Sequence, residues 1–328
     1  MTRSPIGLAI VGAGYWGPNL VRTALATQAL DLKWLCDTDV DRAVKVLGRH
    51  TTVRPTPSFD QVLDDPAVAA VAVATPAATH FELVSAALDA GKHVLVEKPL
   101  TACADEAEKV IAQAAAAGLT LMCDHTYCYT PAAARVRQAI REGELGELRF
   151  IDSVRINLGL VQPDVDVLWD LAPHDVSIMD FVLPAGVEPV AVAAHATDPL
   201  GAGHACLAYL SVWLSSGAIA HLHVNWLSPI KVRTTIFGGA PDHRLGRYEP
   251  GCPAHDPRPR RGAAAGQFRR GGRPAAGTDL LPARRHAGPG AARTGGAARG
   301  DGRVRRCHHA APAAADRRAE RAACPRGT

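Results

Sequence analysis

Large side chains are scarce at one end of this 328-residue chain. From Pro241 onward lysine is absent, and Leu245, Tyr248, Phe268, Leu280, Leu281 and Val304 are the only large apolar residues. Of the 88 residues in that stretch, 63 are Arg, Ala, Gly or Pro. Such a segment cannot bury enough apolar surface to offset the entropy of ordering its backbone, so disorder is expected over 240–328. The formal net charge of +4 therefore averages two unlike parts: 19 arginines against seven acidic residues give +12 in the tail, and −8 precedes it.

Other absences exclude whole classes. None of the eight cysteines (Cys36, Cys103, Cys123, Cys128, Cys206, Cys252, Cys307, Cys324) stands in C-x-x-C spacing, which argues against both a zinc site and a disulfide framework. No apolar run approaches a membrane span, and no charged-then-apolar leader opens the chain, so a cytoplasmic location without membrane attachment is expected. The basic tail raises one alternative function, a nucleic-acid-binding protein acting through its arginines. Against it stand the near absence of stacking aromatics and the lack of any repeat, basic helix or zinc spacing.

Arg, Ala, Gly and Pro share GC-rich codons, and a GC-rich gene read out of frame gives this composition. Back-translation and reading one nucleotide later lets Arg244 to Gly251 give V-W-D-D-M-N-P. The degenerate codons of Pro289 to His309 permit P-E-P-L-A-L-E-A-L-H-E-A-M-A-E-F-V-D-A-I, with apolar residues at helical steps. A frame boundary near Gly238-Gly239 is expected, with 240–328 out of frame.

Before the break, strand and helix patterns alternate. Ile6 to Val11 is an apolar run suited to a buried parallel strand, and it leads into Gly12-Ala-Gly14-Tyr15-Trp16-Gly17, G-x-G-x-x-G between a strand and a helix. The glycines allow a tight turn, close approach to a pyrophosphate and close helix packing, and the helix N-terminus favours the anion. Tyr15 and Trp16 lie within that cofactor turn. A second strand ends at Asp37, where a carboxylate accepts hydrogen bonds from the adenosine ribose or else caps the next helix. Asp37 and Asp39 favour NAD over NADP, because a 2′-phosphate would meet carboxylates. Further alternation to Cys123 implies a doubly wound parallel sheet over 1–123.

Ligands of such sheets lie beyond the strands' carboxyl ends. Two segments fall there: Thr75-Pro76-Ala77-Ala78-Thr79-His80 and Glu97-Lys98-Pro99. Thr75, Pro76, His80, Glu97 and Lys98 are candidate cofactor contacts, and the Lys98-Pro99 bond is a candidate for the cis form. Taken alone, Lys98 is either a solvated strand-end lysine or a group aimed at the nicotinamide.

Over 124–239 the pattern changes to consecutive β segments, which imply a mainly antiparallel sheet in a second α/β domain. Between them Trp169 to Asp180 contains Asp170 and His174, four apart, with Pro173 read as standing just before a helix. Tyr127, Arg155, Asn157, Trp169 and Lys231, with Arg233, are candidate substrate contacts; Arg155, Asn157, Lys231 and Arg233 read equally as solvated strand residues. His221 and His223 share a strand face but lack a third ligand, so no metal is expected.

In combination, G-A-G-Y-W-G, the A-T-P-x-x-T-H turn at Ala74 to His80, A-G-K-H-V-L-V-E-K-P-L at Ala90 to Leu100 and D-x-x-x-H at Asp170 to His174 resemble the Gfo/Idh/MocA oxidoreductases over about residues 5–239. The resemblance implies an NAD-dependent dehydrogenase or reductase acting on a CH–OH group of a sugar or nucleotide-linked sugar. It places Lys98, Asp170 and His174 in the catalytic constellation, with Asp170 orienting the histidine or the substrate. It also implies a homo-oligomer built on the second sheet. Relative to that family the second sheet is truncated, and poor solubility and weak turnover are expected.

Overall fold

The computed structural model describes residues 4–49, 52–239 and 246–248. Six short strands, β1 (Ile6–Val11), β2 (Leu30–Cys36), β3 (Arg54–Thr56), β4 (Ala70–Val73), β5 (His93–Glu97) and β6 (Leu121–Asp124), form a sheet in the order β3-β2-β1-β4-β5-β6. Every neighbouring pair is parallel. This is the expected Rossmann arrangement, and its order reverses between β1 and β4, which opens a crevice at their carboxyl ends. β3 is an addition that no periodicity marked: three residues, one of them proline, fit only at a sheet edge.

The strands are continuous apolar runs because helices cover both faces. On one side α1 (Gly17–Ala26) and α2 (Val40–Leu47) bury Val21, Ala24, Ala43 and Leu47 against Leu8, Ile10, Leu32 and Leu35. On the other, α3 (Phe59–Leu63), α4 (His80–Asp89) and α5 (Ala104–Ala117) bury Val62, Val84, Leu88 and Val110 against Ala9, Val11, Val71, Val94 and Val96. The cap of α2 is Asp39, whose carboxylate accepts from the Arg42 amide at 3.0 Å. Asp37 is thereby left for another task.

The second sheet runs in the order β12-β11-β7-β10-β9-β8. Its strands are β7 (Phe150–Leu158), β8 (Pro189–Thr197), β9 (Leu207–Leu214), β10 (Ile219–Asn225), β11 (Leu227–Gly238) and β12 (Gly246–Tyr248). Four of the five pairings are antiparallel, as expected; β7 and β10 pair parallel. The connection between them explains the exception, since it passes through α7 (Val167–Val182) and the β8–β9 hairpin before returning. Helix α7 and α6 (Pro131–Arg141) cover one face, burying Val136, Leu171, Ile178 and Met179 with Leu222, Trp226 and Phe237. The other face is left open, with Tyr209, Trp213 and Ile219 more than a third exposed.

Two expectations need correction. Helix α7 begins at Val167, a full turn and a half before Pro173, because Asp166 caps it by accepting from the Trp169 amide at 2.9 Å. Pro173 sits inside the helix, where it lacks the N–H that would bond the Trp169 carbonyl. The expected disorder of 240–328 is interrupted by β12, which pairs with β11. An edge strand's free backbone groups accept a partner strand of any composition. The remainder of that segment lies outside the described residues.

Candidate active site

The glycine turn is shaped by close backbone approach. Gly12 has φ +102°, and a Cβ there would lie 2.5 Å from the Ala74 carbonyl oxygen; at Gly17 it would lie 2.2 Å from the Gly12 oxygen. Only glycine fits either place. At Gly14, in contrast, a Cβ would meet nothing within 4 Å, so the middle glycine faces open space. Helix α1 starts beside it with no side-chain cap and no acidic residue in its first turn. An uncapped helix end beside an open backbone turn suits a pyrophosphate, so these residues fit a dinucleotide.

Asp37 is buried at the end of β2 and locks the turn in place. Its Oδ2 accepts from the Ala13 amide at 2.6 Å and its Oδ1 from the Asp39 amide at 2.8 Å, with Arg42 at 3.7 Å. Each oxygen keeps a second lone pair for a ribose hydroxyl. Tyr15 is 92 % exposed and Trp16 also stands at the surface, flanking the cradle.

Across the crevice, His80 is 1 % exposed and ties two turns together. Its Nδ1 lies 2.8 Å from the Pro99 carbonyl and its Nε2 3.0 Å from that of Thr75. A neutral imidazole carries one N–H, so the ring donates to one of these carbonyls and packs against the other; held between the segments beginning at Thr75-Pro76 and Glu97-Lys98, it is not open to a ligand. Burial holds its pKa below the ordinary value. The Lys98-Pro99 bond is cis.

Glu97 and Lys98 leave β5 in different states. Glu97 is partly buried beside Asp124, its register partner on β6; burial first, and the Asp124 charge second, push its carboxyl up to about 8. It carries its proton at neutral pH. The Lys98 ammonium reaches α7, donating to the Asp170 backbone oxygen and to Asp170 Oδ1, both at 2.8 Å. Asp170 Oδ2 accepts from Trp226 Nε1 at 2.9 Å, so this carboxylate is held from both sides. His174, one turn along α7, is partly buried, and its Nδ1 is buried with no hydrogen-bond partner among the described residues. Burial first, then the charges of Arg155, Lys98 and Arg233, lower its pKa well below the usual histidine value.

Behind His174, Arg155 and Asp175 form a two-bond ion pair at 2.8 Å, each side chain 2 % exposed. Tyr127 packs its ring 4.7 Å from the Arg155 guanidinium carbon and edge-on to His174 at 4.8 Å, and its hydroxyl accepts from Arg233 Nη1 at 3.0 Å. The structure thus brings Lys98, Asp170, His174, Tyr127, Arg155 and Arg233 together. It sets three other sequence candidates differently: Asn157 keeps a buried Oδ1 without a partner, Lys231 is exposed on β11, and Trp169 lines a separate cavity of about 680 Å³ with Cys123, Pro173, Val176 and Phe181. None of Lys98, Asp170 and His174 lines that cavity. His221 and His223 stack on Tyr209, and no group of three metal-ligating side chains occurs among the described residues. No helix of the described residues is long and apolar enough to cross a membrane.

Sequence reasoning missed Trp226 and Asp175 as parts of this site. Asp175 sits inside the Asp170–Asp180 motif, and a buried arginine on the facing strand was the available signal for its role. For Trp226 no local signal exists, since its indole meets Asp170 only through the fold.

Comparison with known proteins is consistent with this geometry. Residues 6–125 match the model described as "Oxidoreductase family, NAD-binding Rossmann fold", and residues 133–240 match the GFO/IDH/MocA C-terminal domain. The chain is 32% identical over 216 residues to UDP-N-acetylglucosamine 3-dehydrogenase of Acidithiobacillus ferrooxidans, covering 65% of this chain and 64% of that protein. It is 30% identical over 214 residues to dTDP-3,4-didehydro-2,6-dideoxy-alpha-D-glucose 3-reductase of Streptomyces antibioticus, covering 62% and 63% respectively. In fold it is similar to GenD2 from gentamicin A biosynthesis, solved in complex with NAD, with a TM-score of 0.69, 26% identity and coverage of 75% of this chain and 72% of that one. The chain therefore spans less than two thirds of the length of these curated relatives.

Proposed function

The chain belongs to the GFO/IDH/MocA oxidoreductase family, and from that premise we propose that it transfers a hydride between a secondary alcohol of a sugar or nucleotide-linked sugar and NAD. Two relatives support the substrate class by their names, a UDP-N-acetylglucosamine 3-dehydrogenase and a dTDP-sugar 3-reductase. We divide the chain into a cofactor domain over 1–123, a substrate domain over 124–239 and the segment 240–328.

One observation carries the mechanism. The Lys98 ammonium has three N–H donors, and Asp170 takes two of them. The third is free for the reacting oxygen of a substrate. When bound, the nicotinamide ring supplies a hydride acceptor at C4. His174 accepts the hydroxyl proton at Nε2, since Nδ1 is buried. As the C–H electron pair leaves and the C=O bond forms, the Lys98 N–H bonds the oxygen on which negative charge develops. In the reverse direction His174 returns the proton. Asp170 fixes Lys98 and does not bond His174, which makes it a positioning residue held by Trp226.

Gly14 faces the phosphates, Asp37 the adenosine ribose, and Thr75, Pro76 and the exposed Tyr15 and Trp16 border the cofactor; His80 acts through the turns it is held between. The open face of the second sheet, with Tyr209, Trp213 and Ile219, is where a second copy would bind. NAD is expected to raise the melting temperature of the full chain, and Gly14→Asp to remove that rise by placing a carboxylate in the cradle. A melting temperature indifferent to NAD would refute the assignment.

A further inference from the structure

Two carboxylates and one cation meet at the end of β2, and the carboxylates hold the cation differently. The Asp37 side chain is 7 % exposed, and both of its oxygens already accept backbone amides, from Ala13 at 2.6 Å and from Asp39 at 2.8 Å. Arg42 Nη1 stands 3.7 Å from its Oδ1, beyond hydrogen-bond distance. Asp39 engages Arg42 directly: its Oδ2 accepts from Nη2 at 3.1 Å, while its Oδ1 caps α2 on the Arg42 amide at 3.0 Å. The Arg42 side chain is half exposed, so a ligand on the ribose side of Asp37 can reach it through solvent.

These distances bear on the one chemical difference between the two nicotinamide cofactors, the phosphate on the adenosine 2′ oxygen of NADP. A ribose hydroxyl bonded to Asp37 Oδ1 lies no more than about 6.4 Å from Arg42 Nη1. A phosphate ester on that hydroxyl spans the gap. Arginine's planar fork matches phosphate oxygens, and an arginine beside this carboxylate is what accommodates a 2′-phosphate in the dinucleotide fold. Here the arginine is present but already engaged by Asp39.

We propose that Arg42 is a latent ligand for the 2′-phosphate of NADP, and that Asp39 is the specificity-determining residue that withholds it and so reserves the site for NAD. This rests on the NAD-dependent reading above and adds the side chain that makes the choice. Asp37 holds the turn and the ribose; Asp39 decides what the ribose carries.

The test is calorimetric titration of the full chain with NAD, NADP and adenosine 2′,5′-bisphosphate, which carries the 2′-phosphate without the nicotinamide. The native chain is expected to bind NAD about tenfold or more tightly than NADP. Asp39→Ser and Asp39→Asn each retain a good cap for α2, so the far-ultraviolet circular dichroism should not change. In both variants NADP and the bisphosphate should bind about tenfold or more tightly than to the native chain, with NAD affinity kept within about twofold. Adding Arg42→Gln should remove that gain. Unchanged NADP and bisphosphate affinity in the folded Asp39 variants would overturn the proposal, and so would equal native affinity for NAD and NADP. A gain that survives Arg42→Gln in full would also overturn it, because relief of charge repulsion would then account for the effect. Absence of NAD binding to the native chain overturns the dehydrogenase reading alone, since the bisphosphate comparison still decides the role of Arg42.

Discussion

At the scale of single residues, the site is governed by which donors and acceptors are already taken. Trp226 illustrates it: its indole N–H holds the Asp170 oxygen that Lys98 does not. Trp226→Phe keeps a smaller aromatic ring and removes the donor, and the loss of one hydrogen bond to a charged group is worth about 1.5–3 kcal/mol. The expected outcome is a lower kcat with little change in NAD affinity; an unchanged kcat would remove Trp226 from the site. Glu97 makes a second prediction. Its native carboxyl holds its proton to about 8, whereas in the unfolded chain it ionises near its ordinary 4.5. The stability tied to it is therefore present at low pH and lost as pH rises through that window. Glu97→Gln cannot ionise, so its melting temperature should gain on the native value from pH 5 to about 8. Identical pH profiles for the two proteins would show that Glu97 ionises normally. For His174 the sign is opposite: its lowered pKa keeps the base form available below pH 6.5, so oxidation should persist there. Lys98, Asp170 and His174 stood out in the sequence only through the resemblance of their motifs to a known family, and the fold sets the three close together. The occupancy of their donors was not legible, because Trp226 is 56 residues from Asp170 and meets it only after β10 and α7 pack together.

At the scale of elements, apolar runs and glycine spacing made the Rossmann half readable, since a buried parallel strand and a phosphate turn each restrict residue type locally. Helix α7 was harder. Proline is a strong start signal, and Pro173 drew the helix start to itself, yet the Asp166 cap extends it backwards through Trp169 and Asp170. That extension puts Asp170 and His174 one turn apart on one helix, with Asp175 turned to the sheet. The Arg155–Asp175 pair then anchors α7 to β7. Asp175→Asn leaves the Arg155 charge buried with a weaker partner, and a loss of about 3–5 kcal/mol is expected in urea unfolding. A loss below about 1 kcal/mol would mean the pair does not anchor the helix. The parallel pairing of β7 with β10 was invisible locally, because strand direction depends on the whole intervening connection.

At the scale of the molecule, one surface and one boundary remain to be tested. The outer face of the second sheet exposes Tyr209, Trp213 and Ile219, and its apolar character predicts self-association. Trp213→Glu should shift sedimentation toward the monomer; an unchanged sedimentation coefficient would rule that face out. The match to the C-terminal domain ends at residue 240, beside the change of composition. Resequencing the gene across the Gly238-Gly239 codons should reveal a one-nucleotide offset, and an intact frame would exclude it.

The central claim is that the free Lys98 donor stabilises the oxygen of an alcohol losing hydride to NAD. NADH formation by the full chain over a panel of nucleotide sugars, native beside Lys98→Ala, tests it most directly. The account predicts NADH with at least one sugar, a fall of about a hundredfold or more in the variant, and unchanged NAD affinity. Equal rates in the two proteins would contradict it.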